Sequence, residues 1–291
     1  MSRPRPLFVL AAVVAALVLA AVSGCAPKTP AGMVLTSPNA AWTSFRRNYC
    51  APVKAPALRV KASLYYSRTK PTRRTNRTLI SLWGDFHGPL RLDVSASIGK
   101  LLAHIREDRD GLLVFYPSDK KAYTHVNPVL GATRLGMPFP FSLAELAKAM
   151  VGDFSGLAPK KYARAERVGS DYVFTLDKGL VDRITLDEYG RPILLEGRTT
   201  KALEDARSWV FRVDRYEDAL PGVAPLADKL ILALDNGEQG VLHIKSRELM
   251  LQPWPARSTD LGLPDGIEPI RLDNGYVEEK TGEIPVVYED K

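Results

Sequence analysis

Leu90-Arg91-Leu92-Asp93-Val94-Ser95-Ala96 alternates apolar and polar residues at every step. A period of two puts alternate side chains on opposite faces of an extended chain, so this stretch reads as a strand with one dry face and one wet face. Ser97-Ile98-Gly99 follows, then a second alternating run over 100–107. So short a joint sends the second strand back antiparallel beside the first. The same pattern extends in both directions. Upstream, Leu58, Val60, Ala62 and Leu64 alternate with Arg59, Lys61 and Ser63, and a strand over 78–86 reaches the turn His87-Gly88. Downstream, strands over 112–116 and 121–126 are bounded by Asp110-Gly111 and Pro117-Ser118-Asp119. After an interruption the series resumes over 171–176, 180–186, 192–198, 208–216, 229–235 and 240–246, with Asp187-Glu188-Tyr189-Gly190 and Asn236-Gly237 as turns.

The interruption is helical. Ser142-Leu143-Ala144-Glu145 is a capping box, in which the serine caps the third amide and the glutamate reaches back. Leu143, Leu146, Ala147, Met150 and Val151 form one apolar stripe, and Gly152 suits the stop. A second short amphipathic helix is expected over 39–49, with Trp42 and Phe45 on one face. An antiparallel sheet this long must curl to cover its apolar face. The expected fold is therefore mainly β: about 11 antiparallel strands curled into a barrel or a half-barrel, covered by short helices and the loop over 131–141.

The amino terminus reads as an export signal. Arg3 and Arg5 precede an apolar run from Leu7 to Val22, about 16 residues and so shorter than the roughly 20 that span a bilayer. The run ends Val22-Ser23-Gly24-Cys25, which resembles the lipobox cut and acylated in bacterial lipoproteins. Residues 1–24 are the expected signal peptide. Cys25 is the expected lipidation site, its thiolate taking a diacylglyceryl group. One acyl chain holds a protein to a membrane only weakly, whereas two or three hold it firmly. Residues 25–40, with several Pro, Gly, Ser and Thr, read as a tether. Ala26 stands where an aspartate would retain a lipoprotein on the inner membrane, so by resemblance the destination is the periplasmic face of the outer membrane.

The formal charge is +7, and losing Arg3 and Arg5 with the signal leaves about +5. Export, rather than this moderate charge, argues against nucleic acid as a partner. Lys70-Pro71-Thr72-Arg73-Arg74 reads either as a solvated basic turn or as a surface attracted to anionic head groups. With Cys25 acylated, Cys50 has no partner for an intrachain disulfide and reads as a small buried residue near a helix end. His87, His104, His125 and His243 are scattered, without metal-ligand spacing. There is no G-x-S-x-G elbow and no phosphate-cradling glycine loop. The expectation is a protein that is not an enzyme and uses no cofactor or metal.

One stretch carries a resemblance. From the strand at Leu90 through Ser97-Ile98-Gly99, the Asp110-Gly111 hairpin, Gly136-Met137-Pro138-Phe139-Pro140-Phe141 and the helix ending Met150-Val151-Gly152, order and spacing resemble LolB, the outer-membrane lipoprotein receptor of the LolA/LolB-like carrier superfamily. The likeness covers about 65 residues and extends loosely to residue 250, making 41–250 the LolB-like domain. It implies a half-open antiparallel β-barrel with a helical lid, which takes acyl chains of other lipoproteins from a periplasmic carrier and helps insert them into the outer membrane. Candidate cavity residues are Val60, Leu64, Leu92, Val94, Leu101 and Ile105 on early strands. Leu143, Leu146 and Met150 come from the helix, and Trp209, Phe211 and Val213 from a late strand. In the family an exposed apolar residue before the turn glycine is taken to enter the membrane, and Ile98 holds that position. Ser97 departs from the proline common there. Residues 251–291 are longer than the pattern and read as an irregular extension with one further strand near 267–272. The alternative is a lipid-anchored scaffold or sensor of an envelope complex using the same fold without lipid transfer.

Overall fold

The computed structural model describes residues 33–69, 71–137, 140–199, 207–218, 220 and 223–273. The expected signal peptide, Cys25 and the first part of the tether lie outside the described residues. So do Pro138 and Phe139 of the proline-rich motif and the last part of the C-terminal extension.

The chain opens with helix α1 (Pro38–Tyr49), started by Ser37, whose Oγ accepts the Ala40 amide. Six strands follow: β1 (Ala57–Arg68), β2 (Arg74–Asp85), β3 (Leu90–Ala96), β4 (Leu101–Asp108), β5 (Gly111–Tyr116) and β6 (Lys121–His125). Two helices interrupt them, α2 (Pro128–Arg134) and α3 (Leu143–Met150). Seven strands resume: β7 (Arg164–Val168), β8 (Asp171–Thr175), β9 (Val181–Leu186), β10 (Pro192–Arg198), β11 (Ser208–Tyr216), β12 (Ala227–Leu234) and β13 (Gln239–Met250). Helix α4 (Ala256–Thr259) and strand β14 (Pro269–Arg271) complete the described chain.

All fourteen strands lie in one sheet, ordered β14-β6-β5-β4-β3-β2-β1-β13-β12-β11-β10-β9-β8-β7. The sheet is open, with β14 and β7 at its two edges. The mainly β class and half-open form match expectation; the strand count does not. Strand β7 was hidden because four of its five residues are exposed, so it shows no alternation. It serves as an edge, where charged side chains deter further pairing. Strand β14 is three residues long and pairs parallel with β6, whereas the remaining pairs are antiparallel. The central pair is long: β1 and β2 stay in register from Ala57↔Asp85 to Arg68↔Arg74.

The concave face carries the main core. At one end α1 lays Trp42, Phe45 and Tyr49 against the sheet, with the Trp42 ring 4.8 Å from Phe174 and 5.2 Å from Tyr162. Cys50 caps this helix, buried and unpaired, and burial pushes its thiol up to about 12. It stays protonated and packs as a small apolar group.

The segment after β13 crosses the outer face instead of leaving it. Trp254 donates its amide to Asp85 Oδ1 (2.9 Å) and its indole N–H to the Leu58 carbonyl (3.1 Å). Trp83 reaches the Ser258 carbonyl at 2.9 Å. Leu261 then packs with Phe115 and Ala122 in a second small core before β14.

Candidate functional site

Helix α3 lies over the concave face, and its start is fully satisfied. Ser142 Oγ accepts the Glu145 amide (3.2 Å) while Glu145 returns a carboxylate oxygen to the Ser142 amide (2.9 Å), the capping box read in the sequence. The two remaining first-turn amides go to a residue no local pattern reveals. Glu107 on β4 accepts the Leu143 N–H at 2.7 Å and the Ala144 N–H at 3.1 Å. Its carboxyl is raised above the ordinary carboxylate range, because burial outweighs the two amide donors. At the other end Gly152 turns the chain with a positive φ of 85°, and Arg247 of β13 donates to the Met150 carbonyl at 2.6 Å. The lid is therefore fixed to the sheet at both ends.

Between lid and sheet is a cavity of about 890 Å³, within the range of small-molecule sites. Leu64, Ile80, Leu92, Val94 and Ile105 form one wall, and Phe211, Leu230, Leu232 and Leu242 the opposite one. Phe141, Leu146, Leu135 and Met137 close the top. Phe141 sets its ring edge-on to Phe211 (5.6 Å) and Trp209 (5.9 Å), which fixes the cover against β11. The mouth lies at the β3–β4 turn, where Ser97, Ile98 and Lys100 join Arg74, Asn76, Arg77 and Ser118. Ile98 is 73% exposed at this rim.

Of the twelve expected cavity residues, Leu64, Leu92, Val94, Ile105, Leu146 and Phe211 line this space. Val60, Met150, Trp209 and Val213 sit in the packed core, nearly without exposure. Leu143 faces a separate small recess with Glu107 and Leu112. Leu101 is displaced by a register shift: Val94 pairs with Ala103 but Ser95 pairs with Leu101, and the bulge brings Leu102 to the cavity in its place. Residues the sequence reading passed over include Ile80, Leu230, Leu232 and Leu242. All four stand on strands that were recognised, at inward positions, so a consistent phase along each strand finds them.

The histidines lie apart from this cavity. His104 on the outer face makes a 2.7 Å contact with Asp93, its cross-strand partner, and Phe115 stacks parallel to its ring. His125 accepts the Asn127 amide at the end of β6. Burial and Arg134 hold His125 below the ordinary imidazole range; burial and Lys229 do the same to His243. Among the described residues no group of three His, Cys, Asp or Glu side chains is placed to hold a metal ion.

No protein-family model matches the chain, and no curated protein matches it in sequence. The fold does have counterparts among solved structures. A LolA superfamily protein from Nitrosomonas europaea superposes with a TM-score of 0.52 at 12% identity, over 78% of this chain and 98% of that one. Weaker superpositions are with a domain assigned to outer membrane lipoprotein sorting from Vibrio parahaemolyticus (TM-score 0.43, 10% identity, 75% and 93% covered) and a DUF1329 family protein from Desulfovibrio piger (0.44, 11%, 74% and 94%). At 12% identity the likeness is one of fold: an open, lidded sheet of the LolA-like type.

Proposed function

We propose that this chain is a non-enzymatic, lipid-anchored protein of the outer membrane's periplasmic face, which takes lipoprotein acyl chains into its cavity and helps insert lipoproteins into that membrane. The observation that carries the reading is the apolar cavity of about 890 Å³, walled by aliphatic and aromatic side chains. Acyl chains have no directional groups, and a wall of this kind recognises length and apolarity while leaving release feasible. The fold shared with a LolA superfamily protein supports the reading. So does the exposed Ile98 at the mouth, where a turn would ordinarily carry Gly, Asn, Asp or Ser. On this reading Cys25 holds the mouth near its target bilayer, and a soluble periplasmic carrier supplies the cargo.

The test is native mass spectrometry of the purified chain, followed by transfer of an acylated lipoprotein from a periplasmic carrier. The expected result is copurified acyl species and transfer to vesicles. If neither is observed, the cavity has another use, and a lipid-anchored scaffold becomes the better description.

A further inference from the structure

Among the described residues, most exposed large apolar side chains gather at the end of the sheet opposite the cavity mouth. Strands β1 and β2 define the two ends, running from Arg68↔Arg74 beside the mouth to Ala57↔Asp85 at the other. At that other end Leu249 pairs with Leu58, and Leu251, 94% exposed, follows the last residue of β13. Exposed Val223 lies in the adjoining β11–β12 loop, which the Glu217 amide closes on the Leu226 carbonyl. Val168, also exposed, ends β7 at its turn into β8. These turns follow one another along the run β13-β12-β11-β10-β9-β8-β7. Toward the mouth only Leu79, Ile98 and Val210 are exposed, and Leu79 and Val210 stand on the outer face at 39% and 36%. Single exposed apolar residues are ordinary, but a rim of them marks a contact surface.

The amino-terminal segment leaves the fold at this same rim. Leu35 donates its amide to the Glu188 carbonyl in the β9–β10 turn (2.8 Å), and its own carbonyl accepts the Tyr172 hydroxyl (2.7 Å). Met33 and Val34, 85% and 47% exposed, precede this clasp. Cys25 lies ten residues before Leu35. A chain of that length reaches ~35 Å at full stretch and ~17 Å as a flexible coil. The twelve residues of β1 carry the sheet ~40 Å from rim to mouth. A bilayer that holds Cys25 is therefore within reach of the rim, whereas the mouth stands farther from the clasp than the tether extends. Charge at the rim is of both signs, with Arg47 and Lys54 exposed as well as Glu248, so contact there rests on apolar area.

We infer that this rim is a membrane-contact surface, on which the acylated protein stands against its anchoring bilayer through Met33, Val34, Val168, Val223, Leu249 and Leu251. The inference rests on the lipid-anchor reading of Cys25 and adds a posture to it. Between deliveries the mouth faces away from the anchoring bilayer, open to whatever supplies the cavity, and the domain tips on its tether to bring Ile98 down. Apolar side chains of such a surface sink ~5–10 Å into the head-group region.

The experiment uses the full acylated chain in vesicles of phosphatidylethanolamine and phosphatidylglycerol that contain a spin-labelled lipid. A fluorophore is placed on one introduced cysteine at a time, Leu251→Cys or Val168→Cys at the rim and Ile98→Cys at the mouth. Cys50 does not compete, being buried and held protonated. Without cargo, both rim labels are expected to be quenched several-fold more than the mouth label. The variant Val223→Glu/Leu249→Glu, at exposed positions outside the cavity lining, is expected to cut rim quenching several-fold while acyl-probe affinity stays unchanged. Quenching at the mouth equal to or above that at the rim overturns the inference and leaves acyl binding standing. Rim labels that lipid does not quench, whether free in water or shielded by a second copy as protein concentration rises, overturn it in the same way. A chain whose mass shows no acyl group overturns the anchor reading and this inference together.

Discussion

Glu107 is the side chain on which lid placement turns, and its replacement can be worked through. The residue is 6% exposed and spends both carboxylate oxygens on the Leu143 and Ala144 amides. A hydrogen bond to a charged group contributes about 1.5–3 kcal/mol, and part of that sum is offset here by the cost of burying the carboxylate. Glu107→Ala leaves two first-turn amides without an acceptor, and the expected loss is about 2–3 kcal/mol in urea unfolding. Glu107→Gln keeps one acceptor and removes the buried charge, so it should stay within about 1 kcal/mol of wild type at neutral pH. The pH dependence separates the two terms. Because the folded carboxyl is raised above 4.5, the native state holds its proton to higher pH than the unfolded chain. Stability from this group is thus full below about 4.5 and declines as pH rises through the folded value. The deficit of Glu107→Gln should therefore be larger at pH 4 than at pH 7. Hydrogen exchange at Leu143 and Ala144 should accelerate in Glu107→Ala before global unfolding does. A loss under about 0.5 kcal/mol in the alanine variant, or a glutamine deficit that grows with pH, would refute the assignment of Glu107 as the lid's anchor.

Gly240→Phe should fill the cavity without disturbing the fold, since a Cβ there meets only Leu64 Cδ1 at 3.5 Å. Unfolding temperature should hold or rise, while acyl-probe affinity falls at least about tenfold, as read by fluorescence titration. Ile98→Glu should leave stability within about 0.5 kcal/mol, the residue being exposed, but remove about 1.5–3 kcal/mol of membrane contact. Transfer of a lipoprotein to vesicles that proceeds at the wild-type rate would exclude a membrane role for that tip. Gly197→Ala should be costly, by about 1–3 kcal/mol in thermal unfolding, because its Cβ would come 2.1 Å from the Leu180 carbonyl oxygen and 2.5 Å from the Trp209 ring.

Most of the sheet was legible because one of its faces is dry. Leu90–Ala96 and Ala57–Arg68 announce themselves by alternation, and their turns by Gly and Asp. Helix α3 was legible to its cap because Ser142 and Glu145 act within one turn. What stayed hidden depended on contacts distant in sequence or on broken periodicity. Helix α2 is seven residues long; Asn127 caps it through the Leu130 amide, and Gly131 sits against His125 and Leu112, where a Cβ would collide. Glu107 looked like any polar strand-end residue until α3, 36 positions on, was laid over it. The bulge at Leu101 defeated strict alternation, and Val60, Met150, Trp209 and Val213 were core because inward phase alone does not distinguish floor from wall. The basic run near residue 74 was visible, but its place at a cavity mouth depends on the curl of the whole sheet.

The cavity's size itself constrains what it is for. A sealed apolar void of about 890 Å³ would cost ~20 kcal/mol at roughly 24 cal/mol per Å³, more than the whole ~5–15 kcal/mol stability of an ordinary domain. The fold tolerates this volume because the space reaches the surface at Ile98 and Lys100. Yet its walls keep Ala96, Ala103 and Gly240 at inward positions, where larger side chains would have filled it. Glycine within a strand is itself unfavourable by roughly 0.5–1 kcal/mol relative to alanine. Small residues held at such positions preserve volume at the expense of packing. A ligand that buries its own apolar surface there stabilises the folded state in proportion to the logarithm of its occupancy, so the stability forgone in the empty protein becomes binding energy in the loaded one. On the acyl-binding proposal, the same feature that makes the empty lidded half-barrel less stable than a packed one would let it take a hydrocarbon chain and, because the contact is non-directional, give it up again.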